Sequence, residues 1–477
     1  MKIHSLALFI LLGVTPRVDT CTNSSEQTTQ YTAATFQPVN ALRLTKLSLS
    51  EIPDFEMPKG SFWAAMKLSP DKIDQQRAFV LKGNTFFPIR TLVEKEAYQQ
   101  ITNAQGRAFL KTLPPGTGLY EMLGDDDLCK SQGALHGLWT NPVTVTPVDV
   151  KNYLMGWWYS RAENYGWGNA RIMFDLDLEG FPAAWKNNQV LAEGVKLLRQ
   201  EHPNVEFGMY ASGMGNLYPE GNGDPANPYG QIGGTSRYNL YKQNGFTYFE
   251  MMPYAHYEEV LIGQGKPYAN FQDYAKRSSL HIKKCLEWLD PRAPYAADKN
   301  YRGFSWVMTR YEGGGLEMIA PHICESLPLL MLVSGAARSG GGLCNWNPGV
   351  DLNAADYALE AGKWRASQFN KFWENPKTEY NLHIEFSLDN GETWTNDIEN
   401  WQAKAQKLGI SWFDYMYKDP NPMGVRAAVL DNKLVVVAAH RPGLEEGKVQ
   451  NILCRYKNKT WKMSLPYHQV VAGTVTL

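Results

Sequence analysis

The sequence predicts an α/β chain in which a (β/α)8 TIM-like barrel is followed by a small C-terminal β-sandwich, and three observations carry that prediction. Eight short apolar segments alternate with amphipathic stretches over roughly 290 residues, which is the rhythm of a mostly parallel sheet and the size of a closed barrel. No glycine-rich turn follows the first segment, as an open doubly wound dinucleotide-binding sheet would require. From Thr378 onward the texture changes to short strands separated by turn signals.

The eight expected strands are Phe62 to Leu68, Ala78 to Lys82, Leu119 to Leu123, Ile172 to Leu178, Val205 to Ala211, Phe246 to Met252, Gly303 to Thr309 and Gly341 to Trp346. Between them, Asn188 to Glu201 places Val190, Leu191, Gly194, Val195, Leu197 and Leu198 on one helical face, and His202-Pro203 ends the helix. A second helix is expected from Phe271 to Leu289, closed by Asp290-Pro291. A third, Met318 to Ala337, is apolar nearly all round and should be buried. In the C-terminal region the strands are Asn381 to Leu388, Val425 to Leu430, Lys433 to Ala439 and Val449 to Tyr456, with a hairpin turn at Asp431-Asn432 and a helix around Ile398 to Leu408. Ser387-Leu-Asp389-Asn-Gly391-Glu-Thr393-Trp394 fits the Asp-box hairpin, a folding device that carries no catalytic weight.

At the N-terminus a short basic start precedes the uncharged run Leu6 to Val14, which is too short to span a bilayer, and the polar stretch Thr20 to Gln30 follows it. This reads as a signal peptide over 1–22. The expected organisation continues with an N-terminal segment at 23–59, the barrel at 60–375 and the β-sandwich at 376–477. Export places the protein outside the cytoplasm: secreted, periplasmic or at the cell surface. Cys21 sits where a lipid-modified cysteine could sit, and a lipid anchor there is the one route to a membrane.

With 47 Lys and Arg against 48 Asp and Glu, the net charge of −1 removes the basic footprint of a nucleic-acid binder. The six cysteines are far apart and lack zinc-site spacing; export permits one or two disulfides, whose pairing the sequence leaves open. His256 and His322 have no metal-ligand spacing, and the Gly313 to Gly315 and Gly340 to Gly342 triplets lack the Lys-Ser/Thr of a phosphate loop. The Asp125 to Asp127 run reads as a solvated loop. No cofactor or metal is expected.

The chemistry concentrates in Arg171-Ile-Met-Phe-Asp175-Leu-Asp177-Leu-Glu179-Gly180. Side chains alternate across a strand, so Met173, Asp175, Asp177 and Glu179 share one face and Ile172, Phe174, Leu176 and Leu178 the other. In a barrel the acidic set points inward, with successive members roughly 6.6 Å apart. Crowded carboxyls in a partly desolvated interior raise at least one pKa, which keeps one of them protonated as an acid near neutral pH. Glu179, nearest the C-terminal mouth where barrel enzymes work, is the candidate acid.

The spacing Asp175-x-Asp177-x-Glu179 resembles the last three positions of the D-x-x-D-x-D-x-E signature of family 18 glycoside hydrolases, the chitinases and endo-β-N-acetylglucosaminidases, which carry it on the fourth barrel strand. Met252-Pro253-Tyr254 is similar to that family's Met-x-Tyr on strand six, and Trp346 to the tryptophan that ends strand eight. Ile172 stands where the family has its first Asp, and Ala255 where an Asp often follows the Tyr. Met209-Tyr210-Ala211-Ser212 is also similar to a Tyr-x-Ser strand end of family 25 muramidases, whose first-strand Asp is absent from Phe62 to Leu68. The family 18 resemblance implies substrate-assisted hydrolysis. Glu179 would protonate the glycosidic oxygen, Asp177 would orient an N-acetyl group, Asp175 would support Asp177, and Tyr254 or Tyr210 would hydrogen-bond the acetamido oxygen.

Two alternatives stay open. One is a two-carboxylate retaining mechanism, with Glu250 or Glu121 as the partner of Glu179. The other is a non-catalytic glycan-binding protein on a hydrolase-like barrel. Aromatic residues make up 12% of the chain, and a flat apolar ring with a polar edge suits a carbohydrate partner. Trp139, Trp157, Trp158, Tyr159, Tyr165 and Trp167 before the fourth strand, and Tyr254 and Tyr257 after the sixth, are the expected cleft aromatics.

Overall fold

The computed structural model describes residues 31–42, 47–58, 60–65, 82–90, 102–124, 128, 133–159, 163–164, 166, 170–177, 181, 184–210, 234–251, 300, 302–307, 309, 318, 321–335, 340–345, 352–395, 424–439, 447–467 and 469–477. Two short N-terminal strands, β1 (Thr32–Ala33) and β2 (Phe36–Pro38), precede the barrel. The barrel strands are β3 (Phe62–Ala65), β4 (Phe86–Pro88), β5 (Gly118–Leu123), β6 (Ile172–Asp177), β7 (Val205–Tyr210), β8 (Tyr248–Met251), β9 (Gly303–Val307) and β10 (Gly342–Asn345). They form an eight-stranded parallel sheet in the order β3-β10-β9-β8-β7-β6-β5-β4. At the seam between β3 and β4, Thr85 N–H donates to Trp63 O (2.8 Å) and Trp63 N–H to the Thr85 hydroxyl (3.0 Å), so the sheet curls into a nearly closed barrel. The predicted class is therefore the observed one.

The second strand is displaced from its expected place. It is Phe86–Pro88, and Lys82 lies in a bend before it, while 78–81 fall outside the described residues. Apolar content misled here: Phe86-Phe87 is a shorter run than Ala78 to Leu81, but Pro88 sits at a strand end, where a missing N–H is tolerated.

Alternation sorts the strands into two layers. Phe62, Phe86, Tyr120, Met173, Tyr248 and Trp306 belong to a cluster filling the barrel interior. Ile172, Phe174, Leu176, Val205, Phe207 and Met209 belong instead to the core between barrel and helices. The interior is thus packed with side chains rather than open, as a small barrel requires. At its base Arg171 donates to Glu206 and to the Tyr248 hydroxyl, and Arg302 Nη1 donates to Glu206 Oε1 at 2.7 Å. Burial pushes the Tyr248 phenol up to about 12, so it remains a neutral donor and acceptor at the barrel floor.

Helices form where periodicity and caps agree. The helix α1 (Asn103–Leu110) opens on a Thr102–Gln105 capping box, and α2 (Pro147–Leu154) opens on Thr146–Asp149 with Pro147 in the first turn. Next comes α3 (Trp185–Glu201), which buries Val190, Leu191, Gly194, Val195 and Leu198, the face expected from its spacing. Gly194 is required for packing, because a Cβ there would stand 2.5 Å from Val150 Cβ on α2. After α4 (Gly234–Gln243) comes α5 (Pro321–Ser334), buried along nearly its whole length as its composition predicts. The expected helices at 271–289 and 398–408 lie outside the described residues.

Four charged residues of α6 (Ala354–Ser367) are fully buried: Asp356, Glu360, Lys363 and Arg365 are each at most 1% exposed. Each has partners on another element or on the helix itself. Asp356 Oδ1 accepts from Thr309 Oγ1 (2.6 Å) and Asn345 Nδ2 (3.3 Å), gripping the chain just after β9 and at the end of β10. Lys363 Nζ donates to Glu360 (2.7 Å) and to Asn84 (2.8 Å), beside the barrel seam. Arg365 Nη1 donates to Glu325 on α5 (2.8 Å) and to Val470 O (3.0 Å). A short helix α7 (Asn370–Glu374) follows.

The C-terminal region is a two-sheet sandwich. Its strands are β11 (Glu379–His383), β12 (Glu385–Ser387), β13 (Gly424–Leu430), β14 (Lys433–Ala439), β15 (Val449–Tyr456), β16 (Lys459–Pro466) and β17 (Val470–Thr476). One sheet runs β1-β16-β15-β12 and the other β11-β13-β14-β17-β2, so Thr32–Pro38 completes both. Inward residues of the two sheets, among them Phe386, Val436, Ile452, Trp461 and Met463, form a common core. The other face of the second sheet, with Val435, Val437 and Ala472, joins the same core as α5 and the barrel helices. The hairpin at Asp431 is present, with φ 55° at that residue. β16 and β17 are not among the expected strands, although Lys459–Pro466 alternates buried and more exposed residues as a half-buried strand does.

The Asp-box is built as a folding device. Asp389 accepts from the Ser387 hydroxyl (2.6 Å) and from Thr393 N–H (2.9 Å), Gly391 N–H donates to Ser387 Oγ (2.7 Å), and Gly391 takes φ 101°. The indole N–H of Trp394 donates to Gly391 O (3.0 Å), and Arg455 stacks 4.1 Å over its ring. The Ser387 and Thr393 donors hold the Asp389 carboxyl well below the usual carboxylate range. Its contribution is therefore present above the ordinary pKa and is lost only as pH falls through the depressed one, so the hairpin stays closed through mild acid. Asp389→Ala is expected to accelerate amide exchange at Gly391 and Thr393 while leaving barrel amides unchanged; unaltered exchange at both would remove Asp389 from this role.

Cys324, Cys344 and Cys454 are buried. Among the described residues no helix is long and apolar enough to cross a membrane, and no cluster of metal-ligating side chains occurs.

Candidate functional site

The acidic face of the fourth barrel strand lies where alternation put it. Met173 belongs to the barrel interior, and Ile172, Phe174 and Leu176 pack outward on the helices. Asp175 is fully buried within the barrel, and Asp177, two residues nearer the C-terminal mouth, is partly exposed. A carboxylate below and a partly wet one above is a gradient of solvation along one strand.

Asp175 is held by groups from two other strands. The hydroxyl of Tyr120 on β5 lies 3.3 Å from Asp175 Oδ2, and the indole N–H of Trp306 on β9 donates to the same oxygen at 3.0 Å. Burial, reinforced by Cys344 and Asp175, raises the Tyr120 pKa well above its ordinary value, so the phenol keeps its proton. Burial likewise pushes the Cys344 thiol up. Neither aromatic was among the sequence candidates. Their signal was an inward strand position occupied by a ring with a polar tip, which needs a buried partner.

Gly208 on β7, in register with Asp175, leaves the room this arrangement uses. A Cβ at 208 would stand 2.3 Å from Met173 Cε and 3.0 Å from Asp175 Oδ1. Gly208→Ala is expected to shift both side chains and cost about 1–3 kcal/mol, as overpacking of a filled core does. A urea midpoint equal to that of the parent protein would show that the interior yields more easily than this.

The other candidates fare differently. Tyr210 ends β7 in register with Asp177, and Glu250 lies on β8 opposite Phe304; their side chains are outside the described residues. Glu179, Tyr254, Tyr257 and Trp346, with Tyr165 and Trp167, also lie outside them. Glu121 shares its face of β5 with Leu119 and Leu123, which pack in the helix-facing core, and it pairs with Arg90 at 2.6 Å. It therefore does not share the chamber of Asp175, and the alternative that offered it as a second carboxylate is not supported. Tyr159 is corrected: it is core, 4.3 Å from the ring of His202 at the end of α3, just before β7 begins. That is the N-terminal end of the barrel. Trp157 and Trp158 have their backbone in the same Met155–Tyr159 π-helical turn, with side chains outside the described residues. Trp139 is partly buried and packs edge-on against Phe181 at 5.0 Å.

No family model matches the chain, and no curated protein matches it. Solved structures do. Active domain 2 of a thermostable chitinase from Pyrococcus furiosus is 13% identical, covers 66% of this chain and 97% of its own, and has a TM-score of 0.35. A family GH18 chitinase from Chromobacterium violaceum is 12% identical over 67% of this chain and 86% of its own, with a TM-score of 0.34. A putative alpha-galactosidase from Bacteroides fragilis is 9% identical over 88% of this chain and 79% of its own, with a TM-score of 0.45. At these identities and scores the likeness assigns neither family nor substrate.

Proposed function

We propose that this chain is an exported glycoside hydrolase acting on an N-acetylhexosamine-containing glycan. The observation that carries the reading is the inward column on the fourth strand, where Asp175 is fully buried on two donors and Asp177 is partly exposed toward the mouth. A buried carboxylate is costly unless hydrogen-bonded, so this strand spends stability to keep acids inside a barrel that is otherwise aromatic and apolar.

In this mechanism Glu179 donates a proton to the glycosidic oxygen as the bond to the anomeric carbon breaks. The carbonyl oxygen of the substrate's N-acetyl group attacks that carbon, and Asp177 orients the group and offsets the positive charge that develops on it. Asp175 supports Asp177 from below. Tyr210 and Tyr254 bind the acetamido oxygen, and Trp346 is the platform for the sugar ring. Water then opens the cyclised intermediate by attacking the anomeric carbon, and the Glu179 carboxylate takes a proton from that water as the bond to the acetamido oxygen breaks. Glu250 is a further substrate contact.

The test is a product assay on chitin oligomers, N-glycans and peptidoglycan, run beside calorimetric binding to the same glycans. Release of a reducing end from any of them supports the reading. Tight binding of a glycan with no cleavage replaces it with the binding-protein alternative.

A further inference from the structure

The base of the barrel, at the end opposite the mouth, gathers positive charge that the residues around it do not balance. Arg171, just before β6, and Arg302, just before β9, converge on the one carboxylate of Glu206 on β7. A third guanidinium, Arg199 of α3, donates to Val205 O (2.8 Å) and Gly245 O (2.5 Å), and it lies near enough to Glu206 and Arg302 for each to act on its charge. Among the described residues Glu206 is the carboxylate that faces these cations, so three positive charges meet one negative charge. We propose that the barrel base is a binding site for a phosphate-type oxyanion, held by Arg171 and Arg302 against the backbone of Gly60 and Gly340. The site lies at the other end of the barrel from Asp177 and does not depend on the hydrolase reading.

Both guanidiniums keep donors for such a ligand, since a guanidinium carries five N–H groups. Arg302 donates to Glu206 through Nη1, and its side chain is 32% exposed. Arg171 donates through Nε to Glu206 and through Nη2 to Gly60 O (2.8 Å) and the Tyr248 hydroxyl, and its side chain is 27% exposed. Stacking fixes the two forks in place: Arg171 Cζ lies 4.7 Å from the ring centre of Phe86 and 6.0 Å from that of Tyr248, and Arg302 Cζ lies 5.4 Å from the same Tyr248 ring. An oxyanion therefore meets planar donors that are already oriented. Gly60 and Gly340 leave the room, with φ of 84° and 96°. A Cβ on Gly60 would meet nothing within 4 Å, and one on Gly340 would stand 2.7 Å from Gly60 O and 3.5 Å from Arg302 Nε. The open side of this glycine pair thus adjoins both arginines. The Tyr248 phenol, which burial keeps neutral, adds no charge to repel an anion. Bidentate bonds from arginine to phosphate are short, directional and stronger where water is partly excluded.

The experiment follows the thermal midpoint of the full chain at constant ionic strength and about pH 7.5, where phosphate is mostly dianionic, as chloride is replaced by inorganic phosphate or by glucose 6-phosphate. The parent midpoint is expected to rise along a saturating curve, as a ligand that binds the folded state alone makes it do. Tighter binding of the sugar phosphate assigns the site to a phosphorylated glycan, and equal or weaker binding of it assigns the site to free phosphate. Arg302→Gln is expected to raise the half-saturating concentration about tenfold or more, because a charge-assisted donor is lost. Lys462→Gln, which removes an exposed cation from β16, is expected to bind as the parent does. No rise with either ligand would overturn the proposal and leave the arginines as a plug of the barrel base. An equal rise in the parent and Arg302→Gln, or an equal weakening in Lys462→Gln and Arg302→Gln, would overturn it as a general effect of charge. Should Arg302→Gln fail to fold, Arg302→Lys keeps the charge and loses the fork, and parental affinity in that variant would overturn the proposal.

Discussion

Glu179→Gln is expected to remove most glycan cleavage, by about 10²–10⁴-fold in rate, while the protein still folds and binds glycan. The amide keeps the size of the side chain and removes the proton that the leaving oxygen needs. Asp177→Asn is expected to be severely impaired as well, because an amide cannot offset the charge of a cyclised N-acetyl intermediate. The two losses should not multiply, since both residues act on one transition state. Asp177 is partly exposed and ends its strand, so its replacement should leave the unfolding midpoint close to that of the parent. The measurement is initial rate on a verified substrate together with calorimetric binding. Parental turnover in Glu179→Gln would make this strand scaffolding and move the search for the acid to Glu250.

Lys363→Met is expected to cost about 3–5 kcal/mol of stability at pH 8.5, the size of effect seen when one partner of a buried ion pair is removed. Lys363 and Glu360 are both fully buried at 2.7 Å, and Lys363 also bonds Asn84 beside the barrel seam. Burial, partly offset by Lys363, raises the Glu360 pKa to about 7. A carboxyl whose folded pKa is raised contributes stability that is fully present below its unfolded pKa of 4.5 and is lost as pH rises through about 7. The cost of Lys363→Met should therefore shrink at pH 5.5, where Glu360 is neutral in parent and variant alike. Glu360→Gln should flatten the decline of parental stability between pH 4.5 and 7. Urea midpoints at the two pH values test this, and a cost independent of pH would show that Glu360 does not titrate with the pair.

Much of the site was legible in one strand. Alternation in Met173, Asp175 and Asp177 is a local property, because successive side chains of any extended backbone face opposite ways. The flanking apolar residues 172, 174 and 176 then decide which face is dry. The aromatics were less legible. Trp and Tyr serve as core and as binding platforms with the same composition, and Tyr159 proved to be core because the turn that carries it ends a helix at the barrel base.

What the sequence by itself determined is the set of elements that periodicity and caps specify: the parallel alternation, the face of α3, the burial of α5, the Asp-box hairpin and the acidic strand. Each rests on interactions within a few residues, so a reader of the chain can reconstruct it. Tertiary structure alone decided which distant groups meet. It brought Tyr120 and Trp306 onto one oxygen of Asp175 across 131 residues of separation in the longer case, sent Glu121 to Arg90 on the outer side of the barrel, and folded Thr32–Pro38 into both sheets of the C-terminal sandwich. Strand order and register fix these meetings, and register is set by the packing of the whole barrel and sandwich rather than by any local run of residues.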